Sequence, residues 1–308
     1  MCGNKGNKIM LSLLGLFLLL QTGCTHSPDD NRLQIVSSIT PLSYFAERIG
    51  GRYVSVSVMV PPGGDPHSYE PKPSQLVMLS HAILFIKAGS GIEFELDWMP
   101  RILSLNPGLR ICDASAGATL LPMPKGERAE DADMYHEEHR EHHRHGNKDP
   151  HFWLSPANAV TIVRNIAKAL ESEDPAHSKE YRANASRLEE ELRALDREIQ
   201  EKISGVTLRK FLVFHPAWGY FAHDYGLEQI AVEAEGKSLT PGQMRHVIDT
   251  AKKNGIRVVF ISPQFNAQQA GAIAKAIGGK IHSVDPLASD YQDNLRRTTE
   301  LFVKAGNE

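Results

Sequence analysis

Two hydrophobic rhythms alternate along this chain. Apolar, β-branched runs at 33–39, 54–60, 82–86 and 109–114 read as strands. Between them, 41–49, 74–81 and 94–103 carry apolar residues at helical spacing, with Pro41 opening the first helix. From Ser155 the pattern turns wholly helical. One helix runs from Ser155 to near Glu171, and a second from Pro175 to near Ile203. In the second, Tyr181, Leu188, Leu192, Leu195 and Ile199 recur at helical spacing among charges. Nearly thirty residues at the helical rise span about 40 Å, too long for an ordinary globular helix and too briefly apolar for a coiled coil. The αβ rhythm then returns. Strands are predicted at 210–214, 229–232, 257–261 and 280–284. The helices between and after them lie at 217–225, 240–254, 267–277 and 291–305, with Gly255 and Gly278 as stops. This order predicts an α/β fold: two αβ lobes with mostly parallel sheets, joined by a long rigid backbone helix.

A length of 308 residues suits two domains, and 41% hydrophobic with 23% charged residues is the balance of a soluble globular protein. Net charge of −3 gives no electrostatic case for nucleic acid. The N-terminus is an address rather than part of the fold. Lys5 and Lys8 precede an apolar run at 9–20, too short to span a membrane and right for a signal peptide. Gln21, Thr22 and Gly23 follow, then Cys24. Gly-Cys at this place resembles a lipoprotein signal in which Cys24 becomes the lipidated first residue, although Gln21 stands where Leu is usual. The expected organisation is a signal peptide at 1–23 and a lipid-anchored tether at 24–31. A first lobe at 32–154, a helical segment at 155–207 and a second lobe at 208–308 follow. The protein is expected to be exported to the periplasm or cell surface and to be a monomer. Cys112 is then the one cysteine left for the mature fold, placed on a buried strand, so stability must come from the core.

Histidine is the compositional outlier, with 14 in the chain. His136, His139, His142, His143 and His145 fall in an acidic stretch at 127–149 with almost no large apolar residues. Such a stretch cannot bury enough surface to order itself and is expected to be a mobile loop. Three other histidines occupy similar local settings, each at a turn or where a strand ends. His67 closes Pro61-Pro62-Gly63-Gly64-Asp65-Pro66-His67, His151 lies in Asp149-Pro150-His151-Phe152-Trp153, and His215 follows the strand Phe211-Leu212-Val213-Phe214. Asp285 ends the strand at 280–284 and precedes Pro286. Parallel αβ sheets bind ligands at the carboxyl ends of their strands, so these four donors can converge there. Three imidazoles and a carboxylate suit zinc. The donors are far apart in sequence, and taken singly each histidine is more often a satisfied polar residue than a ligand.

Longer segments around these residues carry a resemblance. Residues 63–71 (GGDPHSYEP), 149–156 (DPHFWLSP) and 214–227 (FHPAWGYFAHDYGL) resemble the zinc/manganese solute-binding protein family of ABC importers. The likeness extends to Pro263-Gln264-Phe265, Asp285-Pro286-Leu287 and the stretch from Asp290 to Leu295. It implies two αβ lobes on a rigid helix, with a metal in the cleft between them. It also implies ligation by His67, His151, His215 and Asp285, and delivery of the ion to a membrane permease. His at the third position resembles the zinc binders of the family, where Glu resembles many manganese binders. The His-rich loop before His151 resembles one that zinc members carry, implying weak capture or delivery of zinc.

Other residues read more plainly. Asp65 and Glu70 are expected to shape the turn or to orient an imidazole N–H. Trp153 and Trp218 are expected to pack. His81, His177, His223, His246 and His282 are expected to lie at the surface or to be satisfied locally, and Ser262 has no ligand role. Three rival readings differ in kind. A manganese-binding member of the same family would keep the fold. A zinc hydrolase would need an open fourth position and a base, and the chain has no His-Glu-x-x-His pair. A surface adhesin would need no catalysis at all.

Overall fold

The computed structural model describes residues 32–123, 148–232 and 239–307. The signal segment with Cys24 and the five histidines of the His-rich loop lie outside the described residues. The first sheet holds β1 (Leu33–Ile39), β2 (Val54–Val60), β3 (Leu84–Lys87) and β4 (Arg110–Asp113). Helices α1 (Thr40–Gly50), α2 (Pro73–Ser80) and α3 (Glu93–Leu105) connect them. Two helices follow, α4 (Pro156–Glu173) and α5 (Ser178–Ser204). The second sheet holds β5 (Lys210–Val213), β6 (Glu228–Ala231), β7 (Val258–Ile261) and β8 (Lys280–Ser283). Its helices are α6 (Gly219–Tyr225), α7 (Pro241–Lys253), α8 (Ala267–Ala276) and the terminal α9 (Tyr291–Ala305).

Both sheets are parallel throughout their paired strands, in the orders β2-β1-β3-β4 and β6-β5-β7-β8. The two lobes therefore repeat one topology. Each sheet is wound outward from its first strand, and the carboxyl ends of the strands carry the connecting loops that face ligands. The helix ends follow local chemistry. The Ser155 hydroxyl accepts from the Asn158 N–H at the start of α4, and Thr240 with Gln243 forms a capping box at the start of α7.

One feature departs from the sequence pattern. The long helix does not begin at Pro175. A single 3₁₀ turn covers Pro175–His177, and α5 begins at Ser178. The Asp174 carboxylate accepts from Tyr181 Oη (2.6 Å) and pairs with His177 Nδ1 (2.7 Å), which holds the tight turn ahead of the helix.

The 27 residues of α5 join the lobes. Tyr181, Leu188, Leu192, Leu195, Ile199 and Ile203 are buried along one stripe. On its flank Glu191 accepts from Arg48 on α1 (2.6 Å) and from Gln292 on α9 (2.9 Å), bridging both lobes. The core is correspondingly continuous. One hydrophobic cluster runs from the first sheet through α4, α5 and α9 to Phe211, Val213, Val258 and Phe260 of the second sheet. The alternate residues Leu212 and Val259 point to the other face, into a smaller cluster with α7 and α8. No helix among the described residues is long and apolar enough to cross a membrane.

Candidate metal centre

His67 sits on the loop that leaves β2. Gly63 occupies the left-handed region (φ 78°) after Pro62, and Gly64 donates its N–H back to the Pro61 carbonyl (2.9 Å), closing a tight turn. The Asp65 carboxylate then accepts from the His67 backbone N–H (3.0 Å) and the Ser68 hydroxyl (2.8 Å). Asp65 thus shapes the turn, and the ring is oriented by a residue that the sequence did not point to. Glu93, the first residue of α3, holds His67 Nδ1 at 2.7 Å. Glu70 is exposed and holds no such place.

His151 lies at the start of the connection into α4. The Asp149 Oδ1 accepts from both the His151 backbone N–H and its ring Nδ1, each at 2.9 Å. The Pro150 carbonyl accepts from the Ser90 hydroxyl (2.6 Å), which ties this segment to the end of β3. His151 is 4% exposed and its partner Asp149 1%, so the pair is sealed from water. A carboxylate can only accept, so both Glu93 and Asp149 place the ring proton on Nδ1 and leave Nε2 with its lone pair outward.

His215 lies two residues past the end of β5, and its ring stacks on Phe265 (4.7 Å between centroids). Its Nε2 lies 3.3 Å from His67 Nε2 and 3.2 Å from His151 Nε2. The three rings thus bring their Nε2 atoms together, and the donor atoms all fall within 4.8 Å of one another. Ligand nitrogens about 2.0–2.1 Å from a tetrahedral zinc stand about 3.3 Å apart, which is the spacing found from His215 to each of the other two. Two lone pairs fixed toward a common point at this distance are matched by a cation, and three imidazoles suit a borderline metal such as zinc.

Asp285 is placed at the end of β8 as expected, but it does not join this group among the described residues. Its Oδ1 accepts from the Leu287 N–H (2.9 Å) and from Gln264 Nε2 (2.7 Å), and its carbonyl accepts from Asn294 (2.7 Å). Gln264, Phe265 and Leu287 line the cleft with the three histidines. Trp153 packs beside His151 and donates its indole N–H across the cleft to the Pro286 carbonyl (2.8 Å). Trp218 is fully buried against Phe221 and Phe302.

Among the described residues, the other histidines do not join this cluster. His177 stacks on Tyr53, His223 is exposed beside Asp224, and His81 and His246 are exposed. Cys112 is a buried thiol, its pKa pushed up to about 12 by burial first and by neighbouring Asp113 second.

The chain matches the family described as zinc-uptake complex component A, periplasmic (ZnuA), over residues 35–305. A crystal structure of ZnuA superposes with a TM-score of 0.80 at 37% identity, covering 89% of this chain and 99% of that one. A zinc-bound deletion mutant of ZnuA gives 0.79 at 38% identity, covering 89% and 98%. The zinc-binding lipoprotein AdcA of Streptococcus pneumoniae is 29% identical over 94% of this chain, which spans 57% of that protein's length. The iron-binding protein YfeA of Yersinia pestis is 29% identical over 86% of this chain and 82% of its own. With a family match across nearly the whole described fold, the chain belongs to the periplasmic zinc-uptake component A family of metal solute-binding proteins.

Proposed function

We propose that this protein captures zinc outside the cytoplasm and delivers it to an ABC-type import permease, with His67, His151 and His215 as the ligands. The observation that carries the reading is the convergence of three imidazole nitrogens within 4.8 Å, with His215 Nε2 at 3.2–3.3 Å from the other two, the spacing of ligands on a tetrahedral zinc. Names of relatives such as zinc-binding AdcA and zinc-bound ZnuA support the same cargo. Manganese is the less suited ion, because it favours oxygen-rich sites and here three donors are imidazoles. Asp285 stands outside the cluster of three histidines with its Oδ1 engaged by Gln264 and Leu287, so it supplies a fourth donor only by moving in, and otherwise leaves the fourth position to water.

Binding without catalysis fits the carboxylates beside the site. Glu93 and Asp149 are each engaged with a ligand imidazole rather than aimed as a base at the fourth position. Export follows from the N-terminal segment, with a lipid anchor at Cys24, residence in the periplasm or at the cell surface, and a monomeric state. His136, His139, His142, His143 and His145 serve as a weak, auxiliary zinc-capturing loop beside the tight site.

The test is metal analysis of the purified mature chain, with zinc–manganese competition on wild type and His215→Glu. One tightly held zinc is expected in wild type, and a shift of preference toward manganese in the variant. A wild type that takes up no zinc overturns the reading. An unchanged preference in the variant removes the third imidazole from it.

A further inference from the structure

The segment carrying His151 leads out of the first lobe, yet it is gripped from the second. Tyr220 on α6 donates its hydroxyl to the Asp149 carbonyl (2.9 Å) and accepts from the Leu121 N–H (2.9 Å). Ser155 donates to Asp224, near the end of the same helix (2.5 Å). At Gly219, the first residue of α6, nothing but hydrogen separates the helix from Asp149. A Cβ at Gly219 would stand 2.5 Å from the Asp149 Oδ2. Asp149 is buried and its Oδ1 is engaged by His151, so a Cβ at Gly219 would have to shift a carboxylate that holds the ligand ring.

Gly219 is not required by its own backbone. It lies in helix, outside the left-handed region, where alanine would be the better residue by propensity. The close approach of Asp149 is the reason that remains. The Asp149 carboxylate is also the group that holds the His151 ring through Nδ1. The helix providing the room follows directly on His215, whose carbonyl accepts from the Ala217 N–H (2.8 Å).

We propose that Gly219 is a positioning residue for the metal ligand His151: it makes the space in which the Asp149 carboxylate aims that imidazole, so the second lobe sets the orientation of a first-lobe ligand. This rests on the zinc-binding reading above. Its consequence is that displacing α6 from Asp149 loosens His151 and disturbs His215 in one movement.

The experiment uses the full mature chain as wild type, Gly219→Ala, Asp149→Ala and the double variant. Zinc affinity is read by chelator competition, fold by thermal melting without zinc, and the His151 tautomer by imidazole ¹⁵N spectra of the metal-free protein. Gly219→Ala is expected to fold, to lose about 10–100-fold in zinc affinity, the range for groups that orient a metal ligand, and to lose the fixed Nδ1–H state of His151. In the Asp149→Ala background the same change should have no further effect, since the two residues act through one contact. Tyr220→Phe should weaken zinc in the same direction with less effect. Wild-type affinity and tautomer in Gly219→Ala would overturn the proposal, as would a loss that simply adds to that of Asp149→Ala. Should Gly219→Ala not fold, the double variant decides: restored folding supports the contact, and continued misfolding overturns it. A wild type that fails to bind zinc defeats the functional reading instead, while the tautomer of the metal-free chain still judges the positioning.

Discussion

His67 and His151 each close the same tripeptide, Asp-Pro-His, and the two copies are wired differently. Asp149 is buried and takes both the backbone and the ring of His151. Asp65 takes only the backbone of His67, and the ring goes to Glu93, 26 residues further on. A carboxylate held against a ligand's second nitrogen raises the ligand's basicity and fixes its aim. Glu93→Gln keeps the shape and an acceptor but removes the charge. It is expected to reduce zinc affinity by about 10–100-fold while leaving the metal-free melting temperature near that of wild type. Chelator competition checks this, and wild-type affinity in the variant would remove Glu93 from the site. The site histidines could be singled out in the sequence by their turns and flanking segments. Their carboxylate partners could not, because an Asp two residues before a His is compatible with either wiring.

At the scale of elements, α5 decides how the lobes relate. Leu188, Leu192, Leu195 and Ile199 are at most 1% exposed and belong to the cluster that reaches both sheets. A helix packed this way is part of the core rather than a linker between cores. Leu192→Ala should therefore cost about 2–5 kcal/mol, the range for leucine truncation in a closed core. It should lower the stability of both lobes together, seen as one unfolding transition shifted to lower denaturant. Two separate transitions, with only one shifted, would mean that the lobes fold independently. Most element positions agree with the hydrophobic rhythm to within a few residues, because strands and helices here carry clean periods. The start of α5 differs because a side-chain contact, Asp174 to Tyr181 and His177, holds a 3₁₀ turn that periodicity does not register.

For the whole molecule, the same topology appears twice and the cleft lies where the strand ends of the two lobes meet. Glu191 bridges α1 and α9 at 2.6–2.9 Å, and Trp153 reaches Pro286 at 2.8 Å, so the lobes are cross-tied on more than one side. Under the proposed zinc capture, such a frame is expected to admit local rearrangement of ligand loops rather than wide closure. The proposed auxiliary role of the His-rich loop predicts zinc sites weaker than the one formed by the three histidines. Deleting residues 130–146 should leave one tight zinc site and remove weaker ones in a calorimetric titration. Disappearance of the tight site would show that the loop contributes to the cleft itself. The weaker sites should fade as pH drops below about 6.5, since imidazoles bind metal only when neutral.

The α/β class, the two-lobe order and the long connecting helix are legible in the sequence alone, and the three histidines stand out there as candidates through the segments around them. Those features rest on local periodicity, turn chemistry and contiguous segments, all of which are written along the chain. It took the packed chain to bring His215 Nε2 within 3.2–3.3 Å of the other two, to let Glu93 and Asp149 aim those two rings, and to hold Asp285 on Gln264. Only it placed Gly219 against Asp149. These depend on distances between residues far apart in sequence, set by how two sheets and α5 pack. No period or short motif encodes that packing.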